Sequence, residues 1–280
     1  MAPFLAYEDK GPTQGPASSR QPHTPPVPLV LVHGHPFDRS MWSPQIRTFS
    51  RDRRVVAPDL RGYGASPAAP AVTDFSGFAR DVEALLDELE VDTCVLAGLS
   101  MGGQIVMDCY RLFPERLRGL VLADTFPAAE TPEGVRTRDA MADRLLAEGL
   151  GGYADEVLER MVAPYASPQV KAHVHAMMTG TSPQGAAAAL RARARRPDYT
   201  ALLARVHVPA LVVVGADDTY TPVSDARALH AALPDATLHV VEGAAHLPNL
   251  ERPEEFDRAL AAFLAHVDAR RQPSSAPARP

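Results

Sequence analysis

A chain of 280 residues, 46% of them hydrophobic, can bury one large core, built either as a single α/β unit or as two small domains. Its net charge of −6, with acidic and basic residues interspersed, leaves no electrostatic footprint for nucleic acid. No run of about 18 apolar residues exists to span a membrane, so the expected partner is a small molecule.

The start, MAPFLAYEDK, lacks both a basic stretch and an apolar h-region, so no secretory signal is read and a cytoplasmic location is expected. Phe4 to Glu8 reads as an edge strand. Residues 13–28, rich in Pro, Ser, Gln and Gly, read as a flexible loop. Short apolar runs then suit buried strands at Leu29–His33, Arg54–Asp59, Thr93–Leu99, Leu117–Asp124, Ala210–Gly215 and Thr237–Val241. Between them, Asp74–Leu89 and Gly102–Phe113 are long enough for crossover helices. This order implies an α/β fold with a mostly parallel sheet flanked by helices. From 125 to 204 the alternation breaks into Ala-rich and charged helical segments, a helical insertion between a first core part, 1–124, and a second, 205–268. Residues 269–280 read as a disordered tail. Cys94 and Cys109 fall in a buried strand and the following helix, as two reduced core thiols.

Gly98-Leu99-Ser100-Met101-Gly102 stands where a strand should hand over to a helix. A sharp turn there forces strained backbone angles on Ser100, and the two glycines give room for strand and helix to pack closely. The serine would protrude at the carboxyl edge of the sheet, where the helix amino terminus favours developing negative charge. A serine hydroxyl is a weak nucleophile until a base takes its proton, and that base needs an orienting acid. Candidate acids are the adjacent Asp217 and Asp218 in GADDTYTP, and Asp124, which also reads as a loop-capping carboxylate. The candidate base is His246 in EGAAHLPNLE, whose small preceding residues let its loop reach over the sheet edge.

These motifs together resemble the α/β-hydrolase superfamily, in its lid-bearing subgroup of small esterases, enol-lactonases and cofactor-free haloperoxidases, over Leu29 to about Val267. The resemblance implies the order nucleophile, acid, histidine: Ser100, Asp218, His246. It selects Asp218 over Asp217, because the acid of similar proteins sits three residues after the strand's closing glycine, here Gly215, and four before a proline, here Pro222. Backbone N–H groups of Met101, directly after the nucleophile, and of His35, in the His-Gly loop LVHGHPFDRSMW, are the implied oxyanion donors. His33 is read as anchoring that loop by hydrogen bonding, and PDLRGYGAS as structural loop chemistry around the site. His33-x-His35 with Asp38 lacks the full H-x-H-x-D-H signature of binuclear hydrolases, so no metal is expected, and the mechanism implies no cofactor.

Substrate choice in this fold usually lies in the inserted lid, and Trp42, Phe126, Met177 and Tyr199, with Met161 and Met178, read first as plain core packing and, as the alternative, as pocket walls. In RARARRPDY, Arg191 and Arg195 share a helix face that reads first as a solvated face and, as the alternative, as a grip on a substrate carboxylate. His173 and His175, two residues apart on a helix, face different ways and form no ligand pair. The implied activity is a serine hydrolase of small carboxylic esters or lactones through an acyl-serine intermediate, acting as a monomer or small homo-oligomer. Carbon–carbon bond hydrolysis and perhydrolysis are the alternatives within the enzyme class. A ligand-sensing protein with slow hydrolysis is the alternative outside it. Epoxide hydrolase and haloalkane dehalogenase chemistry is disfavoured, because those relatives place an aspartate where this chain has Ser100.

Overall fold

The computed structural model describes residues 4–12 and 25–271. Seven strands form one sheet: β1 (Tyr7–Lys10), β2 (Leu29–Val32), β3 (Val55–Pro58), β4 (Cys94–Leu99), β5 (Leu117–Ala123), β6 (Ala210–Gly215) and β7 (Ala236–Val241). Their order is β1-β3-β2-β4-β5-β6-β7, with only β1 antiparallel to its neighbour. The edge strand begins three residues later than Phe4, because Tyr7 to Lys10 are the residues that pair with Pro58 to Val55. The loop expected at 13–28 lies outside the described residues from 13 to 24.

The apolar runs are continuous because both faces of the sheet are covered, so alternate side chains enter different cores. Val30, Val32, Leu96, Leu120, Leu122, Val212 and Val214 pack under α2 (Ser76–Glu88), α3 (Met101–Leu112) and α9 (Val223–Ala232). Leu29, Leu31, Val95, Ala97, Val121 and Val213 face α1 (Ser43–Phe49) and α11 (Pro253–Arg271), with the short α10 (Pro248–Glu251) beside them. The helix α11 carries the fold to Arg271, so 269–271 continue a helix, and the rest of the expected tail lies outside the described residues. No described helix is long and apolar enough to cross a membrane.

Between β5 and β6 lie α4 (Pro132–Glu148), α5 (Gly151–Met161), α6 (Pro168–Gly180), α7 (Pro183–Ala194) and α8 (Thr200–Leu203). Three of them start alike: Thr131, Ser167 and Ser182 accept from the N–H of Gly134, Val170 and Gly185 at 3.0, 3.2 and 3.3 Å, each with proline at the next position. Proline tolerates the first helical position, where its missing N–H would be unbonded anyway. Ala142, Leu145, Leu150, Ala186, Ala187 and Leu190 form a small core among these helices. The segment is seated on the sheet by close backbone approach: a Cβ on Gly62 would lie 2.6 Å from Gly185 Cα. Polar ties add to this, from Ser40 Oγ to His173 Nε2 at 2.8 Å and from Thr181 Oγ1 to the Pro36 carbonyl at 3.1 Å.

Candidate active site at the carboxyl edge of the sheet

Ser100 holds the turn between β4 and α3 with φ 57° and ψ −117°, a conformation that L residues rarely adopt. The flanking glycines carry the cost of closeness: a Cβ on Gly98 would strike the Gly102 carbonyl, and one on Gly102 would strike the Val32 carbonyl oxygen. The turn is tied down by Ser100 N–H to Ala123 O at 2.9 Å and by the Thr125 hydroxyl to Ser100 O at 2.7 Å. Met101 opens α3, so its N–H is one of the donors that a helix leaves unbonded.

The loop after β2 lies against this turn, since a Cβ on Gly34 would stand 2.9 Å from Leu99 O and 3.2 Å from Ser100 Cβ. His33 anchors it. Its Nδ1–H donates to Gly34 O at 2.8 Å and its Nε2 accepts from Leu60 N–H at 2.9 Å, so both ring nitrogens are spent inside the protein. His35 N–H donates to no backbone carbonyl among the described residues. Its side chain, 5% exposed, bonds through Nδ1 to the Tyr63 hydroxyl at 2.7 Å, and its Nε2 is buried without a partner. Burial, then the nearby Arg193 and Arg138 guanidiniums, push the His35 imidazolium well below the usual histidine range, so the ring is neutral at pH 7.

Asp218 follows β6 and His246 follows β7. His246 Nδ1 lies 2.8 Å from Asp218 Oδ2. A carboxylate can only accept, so Nδ1 carries the proton and Nε2 keeps its lone pair. Asp218 also accepts from Tyr220 N–H at 2.7 Å, Thr221 N–H at 3.1 Å and the Thr221 hydroxyl at 2.5 Å. Burial raises its pKa, but His246 and these donors outweigh it and hold the carboxyl below the usual aspartate value. Asp217 turns outward, to the Tyr165 hydroxyl. Ser100 Oγ and His246 Nε2 have no hydrogen-bond partner among the described residues.

The sequence profile of the alpha/beta hydrolase family matches residues 29–259. The chain belongs to the alpha/beta hydrolase family. It is a hydrolase, and several of its relatives are named as esterases or enol-lactonases. One, 3-oxoadipate enol-lactonase 2 of Acinetobacter baylyi, is 34% identical over 241 residues, 84% of this chain and 88% of that one. A thermophilic esterase from Thermogutta terrifontis, solved with malate bound, superposes with a TM-score of 0.87 at 35% identity, covering 94% of each chain. The enol-lactonase from Burkholderia xenovorans LB400 gives 0.82 at 28%, covering 93% of this chain and 96% of its own.

Within this hydrolase the expected pocket residues divide. Trp42, Met161, Met177 and Met178 pack together in the core under α1 and α11, and Trp42 lies against Phe256 with ring centroids 6.0 Å apart. Tyr199 is fully buried in the other core with Tyr110, Leu203 and Leu229, beside Asp108, two turns along α3 from Ser100. It packs the base of the helical segment. Phe126 is half-buried under the Arg196 guanidinium, 5.1 Å from its ring centre, and its carbonyl accepts from Gln104 Nε2 at 3.4 Å.

Neither expected arginine faces the serine. Arg195 pairs with Asp139 at 2.7 Å and Arg191 with Asp143, zipping α7 to α4 on the outer surface. The inward arginine is Arg193, a half-turn round the helix. Its Nε donates to Gln104 Oε1 at 2.8 Å, one turn after Ser100 on α3. Glu130, the acid whose charge bears on Arg193, is taken by Arg138 and by Arg196 at 3.3 Å. Arg193 therefore has no carboxylate partner among the described residues.

Glu251 was not legible as a site residue. Its carboxylate accepts from Ala245 and Leu247, either side of His246, at 3.0 and 3.2 Å, and from Ala163 of the helical segment at 2.7 Å. The visible signal was its place five residues after the histidine in AAHLPNLE. Cys94 and Cys109 are free and buried, and burial pushes the Cys94 thiol up to about 12.

Proposed function

We propose that the protein is a serine hydrolase of small carboxylic esters or lactones that carry a second, anionic group, working through an acyl-serine intermediate. The observation that carries the reaction is the Asp218–His246 hydrogen bond, which leaves Nε2 as a free base in a loop at the same carboxyl edge of the sheet as a serine held in a strained turn. In this reading Ser100 attacks the carbonyl, and His246 takes its proton and returns it to the leaving group. Asp218 orients and stabilises the imidazolium, and the N–H groups of Met101 and His35 receive the oxyanion. Contacts between nucleophile and base are often long without substrate and tighten on binding.

Arg193 supports the choice of an anionic substrate. A guanidinium does not give up its proton in a protein, so the half-buried Arg193, unmatched by a carboxylate among the described residues, is best satisfied by a counter-ion from elsewhere. A ligand carboxylate above Gln104 and His35 supplies it. The malate bound by the Thermogutta esterase is a dicarboxylate, and so is the 3-oxoadipate that gives the Acinetobacter lactonase its name. The helices from 125 to 204 act here as a lid that carries the selecting residue.

A fluorophosphonate probe tests the nucleophile without a chosen substrate. One adduct per chain on Ser100, absent from Ser100→Ala, is expected. A folded wild type that takes no label removes this reading.

A further inference from the structure

Asp124 is a buried acid that the mechanism above leaves unused. It ends β5 with φ 44°, in the left-handed region that aspartate and asparagine tolerate best among non-glycine residues. It is 1% exposed, and its Oδ1 accepts from Gly215 N–H at 2.9 Å. Capping that N–H would be reason enough for a polar side chain. The second oxygen is different: Oδ2 is buried and has no hydrogen-bond partner. Side-chain ligand atoms of Asp124, Asp218 and His246 all lie within 4.8 Å of one another.

Two carboxyls this close in a dry site cannot both be anions at small cost, and a carboxylate oxygen facing another carboxylate has nothing to donate. One proton between them changes both facts. Asp218 is not the group to hold it, since its oxygens already accept four hydrogen bonds, one of them from His246. Asp124 has one donor and a bare Oδ2. The other titratable groups facing it are His246 and, from α10, Glu251, while Asp225 of α9 bears on Asp218. None is a permanent cation that would stabilise an Asp124 anion.

We propose that Asp124 is a positioning residue that remains a neutral carboxylic acid at pH 7 and donates its Oδ2–H to the ionised Asp218, so that the acid orienting His246 is itself held by a second acid. This rests on Asp218 and His246 being the working pair. The directions of the two ionisations agree: burial, then Asp218, raise Asp124 well above the ordinary aspartate value, whereas Asp218 is lowered. Environments that push neighbouring carboxyls apart assign one as acid and the other as anion.

The test reads the proton directly. The Gly215 amide, bonded to Asp124 Oδ1, reports the charge of that carboxyl by NMR in the wild-type protein, with no variant required. Its resonance should show no carboxyl step near pH 4 and take its main step in alkaline solution. A titration centred near pH 4, the range of an ordinary aspartate, overturns the proposal. As a second readout, the acid limb of kcat/KM should shift by less than about 0.3 pH unit in Asp124→Asn, because one neutral group replaces another. A downward shift of about one unit or more would mean that an anion had been removed and would overturn it too. Neither result depends on the fluorophosphonate outcome, so failure of this inference is separable from failure of the proposed reaction.

Discussion

The sheet edge and the helical segment above it fix their residues by different physics. At the edge, Ser100, the Gly34 loop and Gly98 are placed by backbone touching backbone, with no slack for a methyl group. In the segment, helices are placed by N-caps, small apolar contacts and surface ion pairs, with one tight backbone seam at Gly62–Gly185, and several other glycines have open space around them. Chemistry that needs fixed angles therefore belongs to the first region. The selecting surface proposed here, which can vary, would belong to the second.

The sharpest way to break the edge is at its proposed nucleophile. Ser100→Ala should lower kcat/KM for any hydrolysed ester by about 10⁴-fold or more, as removing a triad nucleophile does, with the melting temperature kept. A residual rate within tenfold of wild type would show that the serine is a bystander.

Next comes the backbone itself. Gly102→Ala should cost about 3 kcal/mol in denaturant unfolding, because its methyl group meets the Val32 carbonyl and backbone cannot step aside. Gly151→Ala, which meets nothing within 4 Å at the start of α5, should be neutral or stabilising by about 0.5 kcal/mol. Equal losses at the two sites would erase the distinction between the regions.

The segment's contribution should appear in KM rather than in folding. Arg193→Ala is expected to raise KM for anionic esters by roughly 10- to 100-fold, the worth of a charge-assisted hydrogen bond, and to leave matched neutral esters within about threefold. Arg191→Ala and Arg195→Ala, which undo exposed pairs, should alter neither by more than about twofold. Steady-state assays on a paired ester series decide it.

The smallest effect expected is a pH dependence of stability. Asp218 is depressed on folding, so its contribution is present above the unfolded value near pH 3.9 and is lost as pH falls through the lower folded value. Asp124 is raised, so its contribution is full below about pH 3.9 and fades as pH rises toward the higher folded value. The melting temperature of Asp124→Asn relative to wild type should accordingly climb as pH rises above about 4. A constant difference across that range would contradict the raised ionisation.

What could be read in one dimension was whatever is local along the chain. Six strands fell within one or two residues of their places, because buried parallel strands must be continuously apolar and the turns between them need particular residues. The Ser100 turn and the anchoring role of His33 were legible for the same reason, since glycine spacing and a loop histidine state their own geometry. The edge strand slid by three residues, because pairing with β3 and not composition sets its register. Tertiary packing alone decided which arginine of Arg191, Arg193 and Arg195 turns inward, since α7 is nearly all alanine on its buried positions and carries little phase signal of its own. The helix's rotation is set instead by Asp139 and Asp143 on α4 and by the Gly62–Gly185 contact, both far away in sequence. The meeting of Asp124 with Asp218 was equally invisible. Each ends or follows its own strand, and only the adjacency of β5 and β6 in the sheet brings two carboxyls to share one dry space.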